Sequence, residues 1–235
     1  MGAEGWYARV AEWLCLATTR PREIVIDNRE HNRGLLSSYQ EGYEQSTADV
    51  LAFIHDDVVI YEEGWDARVL AEFAAPNVGV VGFGGALVHG SPDLYRTPYN
   101  IQQLGRSFYL SNVTDAEVHG TRFDGACDVA ALDGFALIVN RKLLDLTGGW
   151  PVDTYPPHHC YDYWITAMAH RFGYRVRVVG VRCHHLGGLT ATTSRYQEWA
   201  RQTPWGSDVA MHASGHKLIY NEFWDVLPWD ARRTP

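Results

Sequence analysis

A chain of 235 residues, 46% of them hydrophobic, can bury a sizeable core as one domain, and 22 glycines and 10 prolines spread along it argue against low-complexity and repeat architectures. A formal net charge of -8 argues against a general nucleic-acid binder, because neutralising phosphates takes a basic face. No apolar run reaches the length of a membrane span and the N-terminus lacks the pattern of a signal peptide, so the chain reads as soluble, intracellular and cytoplasmic. The cysteines, Cys15, Cys127, Cys160 and Cys183, have no CxxC spacing, which disfavours a zinc knuckle or a disulfide framework.

Strand and helix signals then alternate along the chain. Val10, Trp13, Leu14 and Leu16 make a helical stripe within Tyr7 to Thr18, stopped by Pro21. Glu23 to Ile26 reads as a short strand ending at Asp27-Asn28, and Gly34 to Gln45 as a helix through Leu35, Leu36, Tyr39 and Tyr43. The apolar Val50 to Ile54 suits a buried strand, which runs into His55-Asp56-Asp57. A helix over Gly64 to Phe73 and a strand over Val78 to Val81 follow, leading into Gly82-Phe83-Gly84-Gly85. Residues 86–121 carry turn residues and little periodicity, and read as a loop and strand excursion over the active face.

Order returns at Asp128 to Asn140, which is apolar apart from Asp133-Gly134. An acid and a glycine inside such a run predict a bulge or a close backbone approach to a ligand, with an ordinary turn as the alternative. Further helices are expected over Arg141 to Thr147, from Tyr161 to Phe172, and over Gly215 to Trp224, and a strand over Tyr174 to Val181. The alternation of β and α points to an α/β architecture that binds ligands at strand ends.

Two strand ends carry the chemistry. An imidazole and two adjacent carboxylates at the end of a buried strand must be solvated, paired or bound to a cation. Carboxylates suit a hard divalent ion such as magnesium or manganese, so His55-Asp56-Asp57 reads either as a solvated strand end or as a cation site. The strand ending near Val181 offers His184 and His185 in the same way. Asp162 falls in the first turn of a helix, where the dipole favours a carboxylate, so capping alone accounts for it as well as catalysis does.

Taken in order, Phe53-Ile54-His55-Asp56-Asp57-Val58 with Gly64-Trp65, Leu132-Asp133-Gly134 with Arg141 and Gly148-Gly149, Tyr161-Asp162 with Gly173-Tyr174-Arg175-Val176, and His185-Leu186-Gly187-Gly188 resemble a nucleotide-sugar glycosyltransferase of the GT-A fold, family 2. The resemblance implies one GT-A (Rossmann-like) α/β domain over residues 1–190, a mixed central sheet flanked by helices. Beyond Thr190 the resemblance fades, and residues 191–235 read as an aromatic tail packing on the domain, either over the acceptor site, with His212 and His216 as loop candidates for acceptor contact, or simply as core. The family's usual first strand, which precedes the helix starting here near Tyr7, is missing from the pattern. A second copy of the chain covering the bare sheet edge is one remedy.

The activity so implied is inverting, metal-dependent transfer of a sugar from a nucleotide diphosphate sugar, with a UDP-sugar favoured, to a hydroxyl of a glycan or other acceptor. The cofactor is Mn2+ or Mg2+. By the same resemblance Asp57 and His185 are metal ligands, His55 replaces the family's first acid, and His184 is the register alternative to His185. Asp56 lies beside the donor sugar or ribose. Asp27 meets the base, assisted by Asn28, and Arg33 reaches a phosphate. Asp133 and Gly134 line the sugar pocket, and Asp162 is the general base. The competing reading is a degenerate module that binds a nucleotide sugar or glycan without turnover. A nucleotidyltransferase is disfavoured, since no glycine- and lysine-rich phosphate loop is visible.

Overall fold

The computed structural model describes residues 10–28, 31–90, 109–114, 120–187, 189–227 and 229–233. In chain order the strands are β1 (Val50–Ile54), β2 (Val58–Ile60), β3 (Val78–Gly82), β4 (Gly84–Ala86), β5 (Val88–His89), β6 (Tyr109–Ser111), β7 (Thr121–Arg122), β8 (Ala126–Asp128), β9 (Ala131–Leu132), β10 (Ala136–Asn140), β11 (Arg175–Val179), β12 (Cys183–His185) and β13 (Trp229–Asp230). The helices are α1 (Leu35–Gln45), α2 (Trp65–Glu72), α3 (Arg141–Thr147), α4 (Tyr161–Arg171), α5 (Leu189–Thr192), α6 (Ser194–Gln202) and α7 (Asp208–Glu222), after a helical turn over residues 10–14.

The central sheet has the order β1-β10-β3-β11-β8 and is mixed: β3 and β11 run parallel and the other neighbours antiparallel. Both of its faces are covered, and alternation along its strands divides the core in two. Leu51 and Phe53 of β1 with Leu137 and Val139 of β10 face Leu36, Tyr39, Trp150 and Trp164. Ala136 and Ile138 of β10, with Val50 and Ile54 of β1, face Trp13, Trp65 and Val69 on the other side. A sheet buried on both faces explains why its strands read as nearly continuous apolar runs. A four-stranded sheet, β7-β6-β4-β9, and the pair β12-β2 extend the structure beyond the ends of the central strands.

Several expectations need correction. Glu23 to Ile26 forms no strand: the segment carries charges at Arg22, Glu23 and Asp27 and leaves Val25 60% exposed, so it gains little by joining the sheet. Among the described residues β1 pairs only with β10 and is an edge of the central sheet. The apolar run from Asp128 to Asn140 is not one strand with a bulge. It breaks at Asp133-Gly134 into β9, which pairs with β4, and β10, which pairs with β1 and β3, so the turn is the correct alternative. Within the excursion, residues 91–108 and 115–119 lie outside the described residues, and β5, β6 and β7 form on either side of them.

The tail is more helical than its sequence suggests. α7 begins at Asp208 rather than Gly215, because the Ser207 hydroxyl caps it by accepting the Ala210 N–H at 3.2 Å. Gly215 sits inside this helix where it crosses the start of α4; a Cβ there would lie 2.8 Å from the Cys160 sulfur. No helix among the described residues is long and apolar enough to cross a membrane.

Candidate active site

β1 delivers His55 to the end of the sheet, where its N–H donates to the Phe135 carbonyl at 3.0 Å, directly after the Asp133-Gly134 turn. The chain then turns through Asp56-Asp57, with the Val58 N–H returning to the His55 carbonyl at 3.2 Å, and continues as β2. β2 pairs antiparallel with β12, which places His185 opposite Val58 and His184 opposite Val59. Successive side chains of a strand point to opposite faces, so only one of the two histidines faces Asp57. That one is His185, whose Nε2 stands 3.5 Å from the Asp57 carboxylate. His184 faces away, its Nδ1 3.2 Å from the Thr114 hydroxyl.

His55, Asp57 and His185 each offer one ligand atom, all within 4.8 Å of one another, and His184 is not part of the group. The separations fit a shared ion better than direct pairing: His55 Nδ1 to Asp57 Oδ1 is 3.9 Å, and that oxygen is buried with no hydrogen bond among the described residues. Although burial opposes it, the imidazoles of His185 and His55 hold the Asp57 carboxyl below its ordinary range. Burial lowers His55 to about 4, so at neutral pH its ring is neutral and able to ligate. Two further contacts orient the rings. The Tyr161 hydroxyl lies 2.8 Å from His55 Nε2, leaving Nδ1 toward Asp57, and Phe135 stacks on His185 at 4.7 Å.

Tyr161 opens α4, and Asp162 is the next residue. The Asp162 Oδ1 accepts the Tyr163 N–H at 2.9 Å, and the Gly134 N–H also stabilises the carboxylate. Burial first, and the charge of Asp133 second, nevertheless push the Asp162 carboxyl up to about 7. Asp133 is held in turn by the Tyr109 hydroxyl, which donates to its Oδ2 at 2.9 Å. Gly134 has a physical reason of its own: a Cβ there would come within 2.6 Å of ring carbons of Tyr161. The glycine admits the phenol that orients His55, linking the Asp133-Gly134 turn to the His55 cluster.

The remaining predicted site residues lie around this centre. Asp56 is exposed at the same turn. Asp27 is exposed at the end of the Glu23 segment. Asn28 holds Asn32 and Arg33: its Oδ1 accepts the Arg33 N–H at 2.9 Å and its Nδ2 donates to the Asn32 Oδ1 at 3.1 Å. Arg33 is turned to Glu41, at 2.6 Å. Asn32 also meets His158, ahead of α4, whose Nε2 is 3.4 Å from the Asn32 Oδ1. Sequence reasoning missed Tyr109 and the contact of Tyr161. Tyr109 lies in the stretch without periodicity and carries no local signal, whereas Tyr161 adjoins Asp162 and was open to notice.

The mixed α/β sheet covered on both faces has the GT-A fold, and His55, Asp57 and His185 meet beyond the end of β1. The profile of the glycosyltransferase-like family, of the family 2 type, matches residues 19–203, and the chain belongs to that family. No curated protein matches the chain. Among solved structures it is similar to GalNAc-T7 with UDP, GalNAc and Mn2+, with a TM-score of 0.52 and 12% identity over 84% of this chain and 36% of that one. It also aligns with the mannosyltransferase PcManGT from Pyrobaculum calidifontis in complex with GDP-Man and Mn2+, at a TM-score of 0.45 and 15% identity over 90% of this chain and 55% of that one. The chain thus spans about half the length of that mannosyltransferase, and little more than a third of GalNAc-T7.

Proposed function

We propose that the protein is an inverting, metal-dependent glycosyltransferase that moves a sugar from a nucleotide diphosphate sugar to an acceptor hydroxyl. The observation that carries this reading is Asp162: a carboxyl raised to about 7, beside Asp133 and one residue from the phenol that orients His55. A general base works best when its pKa lies near the working pH. Asp162 takes the proton of the acceptor hydroxyl as it attacks the anomeric carbon from the face opposite the leaving diphosphate.

The residues fit a divalent cation, held by Asp57, His55 and His185. When bound, the ion supplies Lewis-acid stabilisation of the charge growing on the diphosphate. Two imidazoles among three ligands favour Mn2+ over Mg2+. His55, in place of an acid, leaves the cluster with Asp57 as its one anionic ligand, and Tyr161 fixes the ring that compensates. Asp56 contacts the donor sugar or ribose, and Asp133 and Gly134 line its pocket. Asp27, Asn28 and Arg33 serve the nucleotide, for which uridine is favoured; UDP is the nucleotide bound to GalNAc-T7. The acceptor approaches past the start of α4 and the tail, where His159 meets Asp208 at 2.7 Å and the ring of His216 lies 5.4 Å from Tyr163.

Calorimetric titration with UDP and with GDP, each with and without Mn2+, followed by donor hydrolysis in wild type and Asp162→Asn, tests the proposal. The expected result is Mn2+-dependent binding in both proteins with hydrolysis in wild type alone. Binding without turnover in wild type supports the non-catalytic module instead, and equal turnover in both removes Asp162 from the mechanism.

A further inference from the structure

Tyr39 has no part in the roles given above, yet it lies against the site. It stands on the buried face of α1 with Leu36, and its ring packs on Phe53 at 4.7 Å, on Trp150 at 5.3 Å and edge-on to Tyr161 at 5.5 Å between centroids. These contacts account for an aromatic ring at this position. They give no reason for a hydroxyl, since phenylalanine would make the same ones. Tyr39 is only 8% exposed, and its hydroxyl is buried without a hydrogen-bond partner among the described residues. An unpaired buried hydroxyl weakens a fold, so it calls for an explanation outside the packing.

Its surroundings supply one. The charges that act on the Tyr39 hydroxyl most strongly are those of Asp162, then Asp56, then Asp57. Burial first, and these carboxylates next, raise its pKa above that of an ordinary tyrosine, so the group keeps its proton and offers a neutral O–H. Its ring also meets that of Tyr161, the phenol bonded to His55 and the neighbour of Asp162 at the start of α4, so Tyr39 stands beside the link between the base and the cation cluster. In the reading above the space between base and cluster holds the transferred sugar, while the diphosphate lies on the Asp57 side. A sugar hydroxyl suits such a place: it donates to a carboxylate and accepts from the phenol, satisfying both. A diphosphate would meet three carboxylates there.

We propose that Tyr39 is a donor-sugar contact, its O–H hydrogen-bonding a hydroxyl of the sugar carried by the nucleotide. The inference rests on the glycosyltransferase reading. The contact requires the rings packed over the phenol to shift when the sugar binds. The general consequence is selectivity, because a site built to hydrogen-bond a substrate hydroxyl discriminates against ligands that lack it.

The test is Tyr39→Phe, which keeps the ring contacts, measured by calorimetry in Mn2+ with UDP and UDP-glucose and with GDP and GDP-mannose. The expected result is an unchanged Kd for the nucleoside diphosphate and a Kd for the corresponding nucleotide sugar weakened roughly tenfold, the worth of one neutral hydrogen bond. Tm should stay equal or rise. Equal affinity of both proteins for the nucleotide sugars overturns the proposal, and so does an equal loss for diphosphate and nucleotide sugar, which would place the hydroxyl on the phosphate or in the packing. If wild type binds none of the four in a metal-dependent way, the glycosyltransferase reading itself fails, and this inference with it.

Discussion

Asp162, the proposed base, shows how a single buried side chain can work against stability. Burial and Asp133 raise its pKa from the ordinary carboxylate value of 3.8 to about 7, so the folded protein binds this proton more tightly than the unfolded chain does. The stabilisation linked to the proton is complete below about pH 4 and is lost as pH rises through about 7. Asp162→Asn should therefore resist urea better than wild type at pH 8, by a few kcal/mol since each tenfold change in proton affinity is worth about 1.4 kcal/mol, and should show little advantage at pH 4. Transfer by wild type should rise with pH through about 7, whereas the variant should be inactive throughout. A variant equal in stability to wild type at pH 8 would mean that the carboxylate is better solvated than its position suggests. Gly134→Ala is a different kind of change: the added methyl meets the Tyr161 ring, so both stability and Mn2+ affinity should fall, and calorimetry beside thermal melts reads the two losses together.

At the scale of elements, the pairing of β2 with β12 decides which histidine can ligate. Opposite faces of one strand separate His184 from His185, and the register Val58 to His185 brings only the second to Asp57. His185→Ala should abolish measurable Mn2+ binding, while His184→Ala should leave it within about twofold, since His184 stands on the opposite face with its ring toward Thr114. Manganese titration of both variants, monitored by electron paramagnetic resonance, checks this; equal losses would show that the register differs in solution. Such parity was not legible in the sequence, where both histidines were open as ligands, because it depends on a partner strand far away in the chain. What was legible is local: the apolar run of β1, the α1 stripe and the span of α3, each written in neighbouring residues. Glu23 to Ile26 misled because an apolar alternation says nothing of whether a partner strand exists, and Asp133-Gly134 because a turn between two sheets looks like a flaw in one strand. Tyr109 reaches Asp133 from a separate sheet, a contact no local pattern announces.

Across the whole molecule, the tail shares the core that supports the site. Ile219, Tyr220, Phe223 and Leu227 belong to the same buried cluster as Phe53, Leu137 and Trp164, on the face of the sheet that carries α1 and α4. β13 adds to β5, and Trp229 stacks on His170 of α4 at 4.1 Å. The helix that bears Asp162 is thus clamped between the sheet and the tail, with the His159 to Asp208 pair at its start and Arg171 bound to Asp225 at its end. Residues 1–190 and 191–235 should accordingly unfold as one cooperative unit. Phe223 is fully buried, so Phe223→Ala should cost about 3–5 kcal/mol. In urea, its far-ultraviolet circular dichroism and tryptophan fluorescence should fall together at one lower midpoint, with an unchanged slope, as expected when stability alone changes. Saturating Mn2+ should move both probes upward together in wild type and in this variant, because a ligand held at the sheet end stabilises everything that folds with it. Two separated transitions, with only the earlier one sensitive to the substitution and only the later one to Mn2+, would show instead that the tail is a unit of its own, resting on a catalytic domain that stands without it.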